Sequence, residues 1–164
     1  MKTMTKFYAI SIILLGLSAG AFAQATATAT ATIVTPIAIA KNTDMNFGNL
    51  AVNTSSGTLV LATDNSRSFT GGVTLMPVGT ISAAQFTVTG LSGAVYTFSL
   101  PASVTLTDPS SNTMLINTFS DTSTGTLTGG SVVVLVGATL NVNASQPAGV
   151  YTNTTDLTAT VNYN

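Results

Sequence analysis

The 164-residue sequence contains no cysteine, no histidine, no tryptophan and no glutamate, and only 5% of it is charged. The missing histidine and cysteine exclude an imidazole base, a thiol nucleophile and a His/Cys metal site. Disulfides are excluded with them. Asp44, Asp64, Asp108, Asp121 and Asp156 are the only carboxylate side chains. What the chain has in excess is threonine, 31 residues of it, of which 29 lie beyond residue 23. A hydrophobic fraction of 45% set against so little charge belongs to globular or membrane chemistry rather than to charge-rich disorder.

The first segment reads as an export signal. Lys2 and Lys6 are followed by an apolar run, Phe7–Leu17, and then by small residues ending in Ala21-Phe22-Ala23. A basic start, an apolar stretch of about 11 residues and an A-x-A site predict a signal peptide, residues 1–23, cleaved after Ala23. A membrane span needs roughly 20 apolar residues, so the run is too short for an anchor, and no later segment is apolar enough to span. Beyond Ala23 the basic residues are Lys41 and Arg67 against five Asp, a net charge of −3. Two scattered cations cannot track a phosphate backbone, so no nucleic-acid partner is expected. Without cysteine, a secreted chain must be held by its core and hydrogen-bond ladders, or by a partner.

Thr, Val, Ile and aromatic residues favour pleated strands, and period-two alternation recurs along the chain. Ile37 and Ile39 alternate with alanines, Met45 and Phe47 share a face, and so do Phe86 with Val88 and Tyr96 with Phe98 and Leu100. Val132, Val134, Val136, Ala138, Leu140 and Val142 keep one parity through a long segment, and Leu157, Ala159, Val161 and Tyr163 do so near the end. Turn signals at Asn53–Gly57, Thr63–Ser66, Gly90–Gly93, Thr107–Asn112, Asp121–Gly125, Gly129-Gly130 and Asn143–Gly149 separate the runs by roughly 8–12 residues. Gly71-Gly72, inside a strand-like run, predicts a bulge. The expectation is an all-β chain of about nine strands, a two-sheet sandwich before a closed barrel.

Two segments stand out. In Ala25–Thr35, alanines 25, 27, 29 and 31 and Ile33 occupy one parity and threonines the other. Such a segment can be a strand inserted into another subunit's sheet, a strand of its own sheet, or a loose tail. The closing run, Thr155–Asn164, carries an alternating apolar face and would leave one strand edge to be covered. The scattered T-x-T triplets follow no constant period, which argues against an ice-binding solenoid. Catalysis finds no foothold: no histidine exists to activate a serine, and the aspartates sit beside turn-forming residues. No D-x-D-x-D-G calcium loop is present. No cofactor or metal is expected, and three Asn-x-Ser/Thr sequons carry weight only in a eukaryotic secretory route.

The segment Ala25–Thr35 with Pro36-Ile37-Ala38-Ile39, then Asp44-Met45-Asn46-Phe47-Gly48, and the ending Ala148-Gly149-Val150-Tyr151 through Val161-Asn162-Tyr163 carry a resemblance. The chain resembles small secreted bacterial Thr/Ala-rich β proteins of undefined function, distantly similar to chaperone–usher pilins and spore-coat-type pilin-like domains. The resemblance implies an immunoglobulin-like β-sandwich over residues 36–164, completed by strand exchange, with residues 24–35 as an N-terminal extension. It makes Ala25, Ala27, Ala29, Ala31 and Ile33 donor-strand positions. Leu157, Val161 and Tyr163 become the edge that an acceptor or a chaperone contacts. Its implied partners are identical subunits, a periplasmic chaperone and an outer-membrane usher, and its implied place is the surface of a Gram-negative cell or the medium. The leading reading is therefore a structural subunit of a cell-surface filament. The competing one is a monomeric secreted sandwich that binds a glycan or a protein through loops such as Asn53–Gly57 or Asp108–Asn112. An enzyme comes third.

Overall fold

The computed structural model describes residues 23–164; the expected signal segment, apart from Ala23, lies outside the described residues. Two units are distinct, one ending at Ile33 and one running Val34–Asn164. In the first, Ala23–Ile33 forms no strand or helix, and every residue of it is exposed.

The second unit is built from β1 (Ala38–Thr43), β2 (Leu50–Leu61), β3 (Arg67–Leu75), β4 (Ala84–Thr89), β5 (Tyr96–Ser99), β6 (Ser103–Thr107), β7 (Thr113–Asp121), β8 (Ser131–Val142) and β9 (Thr160–Tyr163). All pairings are antiparallel. Seven strands form one sheet, β1-β4-β8-β2-β3, with β7 also on β8 and β6 on β7, while β5 and β9 form the other. This is an immunoglobulin-like two-sheet sandwich.

β8 organises it. Its alternating apolar parity buries Val134, Val136, Ala138, Leu140 and Val142, because successive side chains of a strand point to opposite faces. The first half of β8 pairs with β4, and the second half with β2 and β7. Two apolar clusters result. Around the first half, Phe86, Val88, Tyr96, Leu127 and Val134 are buried, and Val161 and Tyr163 of β9 pack onto them. Around the second half, Leu59, Leu61, Val73, Ile116 and Leu140 are buried with Phe47 at the margin.

Two expectations are revised. Asn53–Gly57 is not a turn: it lies inside β2, where the register against β3 shifts between Val52 and Gly57. Gly71 and Gly72 lie opposite, so the surplus residues of β2 are absorbed as the expected irregularity rather than as a hairpin end. The apolar run from Leu157 also enters a strand late, at Thr160. Asn153 accepts the N–H groups of Thr155 and Asp156, which turns the backbone there instead.

Candidate functional site: an open apolar cleft

One rim of the site begins with the sequence Asp44-Met45-Asn46-Phe47-Gly48. Asn46 exchanges both backbone hydrogen bonds with Ser82, and its side-chain oxygen accepts the Gly48 N–H at 2.8 Å. Gly48 has φ +71, and a Cβ there would meet the Arg67 guanidinium at 2.8 Å and Ile81 at 2.9 Å. That close approach is what the glycine permits. Arg67 donates to the carbonyls of Phe47 at 2.8 Å, Asn49 at 3.3 Å and Met76 at 3.2 Å, fastening this rim to β3.

The opposite rim is the segment Gln146–Leu157. Thr152 exchanges backbone hydrogen bonds with Thr107 of β6 at 3.0 and 3.1 Å, and the Asn153 amide donates to the Thr105 carbonyl at 2.9 Å. Gln146 donates to the Thr113 carbonyl and to the Tyr151 hydroxyl, which in turn donates to the Pro147 carbonyl. The amide of Asn153 also donates to the Asp156 carboxylate. The Thr155 hydroxyl and that amide hold the Asp156 carboxyl below its ordinary value, against the opposing effect of burial.

Between the rims lies a cleft of about 1110 Å3. Phe86, Val104, Met114, Ile116, Leu140 and Val142 form its floor. Lys41 and Asp44, an ion pair of exposed side chains, stand at its mouth. Small-molecule sites are typically enclosed spaces of about 300–1,000 Å3 with a few convergent polar groups. This space is larger, and the side chains at its base belong to the core, none more than 7% exposed.

The expected site residues are distributed unevenly around it. Ala25, Ala27, Ala29, Ala31 and Ile33 are exposed and in no strand, Ile33 at 99%. Leu157 is half-buried and lines the cleft. Val161 and Tyr163 belong to the other cluster, paired with Phe98 and Tyr96. The Tyr163 hydroxyl donates to the Thr35 carbonyl at 2.8 Å and accepts the Leu91 N–H at 2.6 Å, tying the last strand to the approaches of β1 and the end of β4. Phe47, Gln146 and Tyr151 were not singled out from sequence as wall residues. The pairing of Met45 with Phe47 on one face and the resemblance at Ala148–Tyr151 were the available signals.

Each aspartate is engaged locally. Asp44 pairs with Lys41, Asp64 accepts from Ser66, Asp108 from Ser110 and Asn112, Asp121 from Ser123, and Asp156 from Asn153 and Thr155. No cluster of three or more potential metal-binding side chains occurs among the described residues. No helix among them is long and apolar enough to cross a membrane.

The fold and the cleft define a class, an immunoglobulin-like sandwich left open along one groove. The chain belongs to the family described as a domain of unknown function, DUF4402, whose model matches residues 37–163. No curated protein and no solved structure matches it.

Proposed function

We propose that the protein is a pilin-like structural subunit of a secreted surface filament, in which Ala25–Ile33 of one copy enters the open cleft of the next. The observation that supports this reading is the cleft itself, which has the core residues Phe86, Ile116 and Leu140 at its base and rims drawn from distant parts of the sequence. The exposed Thr/Ala segment supplies a matching ligand, since β-branched threonine at every second position favours an extended chain. Magnitudes place the source of affinity. Four alanine methyls contribute about 0.8 kcal/mol each and Ile33 about 3 at most, so main-chain bonds at about 1 kcal/mol apiece over ~10 residues must carry much of it. The display-loop reading finds less support: Asn53–Gly57 lies within β2, and Asp108–Asn112 is a tight turn closed on its own aspartate.

The test is deletion. The chain from Gln24 onward is expected to form heat-resistant polymers visible by negative-stain microscopy, and the same chain without Ala25–Ile33, which leaves Val34 and the Thr35 acceptor of Tyr163 in place, to elute as a monomer. Polymerisation of the truncated chain to the same extent as the intact one would overturn strand donation by this segment.

A further inference from the structure

A second apolar surface lies away from the cleft. Val34, Leu91 and Val95 are 48%, 41% and 52% exposed, and with Ala94, Tyr163 and Asn164 they line a shallow hollow of about 360 Å3. The hollow sits where β4 ends and β8 begins: Thr89 pairs with Ser131, Gly90 donates to the Gly130 carbonyl, and Leu91 donates to Tyr163. It is also where the N-terminal extension leaves the domain, since Ile33 is bonded directly to Val34. The far end of β8 leads into the segment Asn143–Val150, which returns along the cleft rim and carries Val150, 75% exposed. Gln146 fixes that segment to Thr113 at the start of β7, and the neighbouring Leu115 lies opposite Asn141, near the end of β8.

From this placement we infer that the collar of Val34, Leu91 and Val95 is a second subunit contact, seated on the Val150 segment of the next copy. The inference rests on the proposed strand insertion and adds a surface to it. β8 has twelve residues, about 40 Å at ~3.3 Å per residue, so collar and Val150 occupy opposite ends of one domain. A copy whose cleft holds the extension must lie beside the root of that extension, and the root is the collar. The spans Leu91–Val95 and Asn143–Val150 contain no Asp, Lys or Arg. Two different patches at opposite ends make a heterologous contact, which repeats as an open filament rather than closing into a dimer.

Two variants of the full mature chain test it. Val95→Asp places a charge on an exposed collar position without touching the cleft, and is expected to raise the critical concentration for polymerisation at least tenfold; Leu91→Asp is the second collar position and should behave alike. The double variant Val95→Cys/Val150→Cys, in a chain with no cysteine of its own, should give a ladder of covalent multimers on oxidation. A disulfide requires Cα atoms within about 7 Å, so this pair can join only separate copies. An unchanged critical concentration in both charge variants together with no ladder, while polymers still form, would overturn the collar contact and leave strand insertion standing. Undiminished polymerisation of the chain without Ala25–Ile33, which keeps the collar residue Val34, would overturn strand insertion, and the collar contact with it.

Discussion

At the scale of the residue, Arg67 carries the most structural consequence. It is one of two cations beyond residue 23, and it is spent on three carbonyl oxygens of the cleft rim and its neighbour. A guanidinium can fan several N–H groups across separate acceptors, whereas an ammonium is a point donor. Replacing it by alanine is expected to cost about 2 kcal/mol, the scale of hydrogen bonds made by a charged donor. A urea denaturation midpoint measures the loss, and faster amide exchange confined to Asn46–Leu50 would place it. Arg67→Lys should recover less than half; full recovery would mean that charge alone, not the fork, holds the rim. The same contact explains Gly48, which the sequence presents only as the end of a short motif. The steric reason for that glycine lies nineteen residues away, in a side chain no local pattern could place beside it.

At the scale of the element, β8 was legible and the cleft was not. The parity from Val132 to Val142 specifies a strand with one buried face, and the structure has it. Asn53–Gly57 misleads because Asn, Ser and Gly mark turns by their backbone preferences, and a bulge uses the same preferences inside a strand. The cleft rims are about a hundred residues apart in sequence, and only the pairing of β2, β7 and β8 brings them face to face, so no window of sequence contains the site. The β2–β3 irregularity itself is narrowly built. A Cβ on Gly72 would overlap the Ser55 carbonyl oxygen and approach the Asn53 side chain, and one on Gly71, at φ +63, would overlap the Ser56 carbonyl. Gly72→Ala is therefore expected to destabilise by about 1–3 kcal/mol, the usual range for overpacking. Thermal unfolding checks it; a midpoint within a degree of the parent would show that the backbone relaxes there at no cost.

At the scale of the whole molecule, scarcity of charge makes stability sensitive to acid through a few groups. The Asn112 side-chain amide holds the Asp108 carboxyl below its ordinary value, helped by the Asn112 and Ser110 N–H groups and opposed by burial. Hydrogen bonds from Ser66 lower Asp64, and those from Thr155 and Asn153 lower Asp156. A carboxyl whose folded value lies below its unfolded one stabilises the fold above the ordinary carboxylate range and loses that contribution as pH falls through the folded value. Urea midpoints should thus stay level from neutral pH down to about 5 and decline below about 4. Asp108→Asn should show a shallower decline, because one of the three linked protons is gone. An identical slope in the two proteins would remove Asp108 from the account.

The tie made by Tyr163 also has a meaning in time. Its hydroxyl reaches Thr35, 128 residues earlier, and Leu91, 72 residues earlier, while β9 supplies half of the two-stranded sheet. Until residue 163 has been synthesised, β5 lacks its partner strand and Phe86, Val88 and Val134 lack part of their cover. Contacts of such long sequence separation form late and slowly. This half of the core therefore cannot complete its packing until residue 163 has been synthesised.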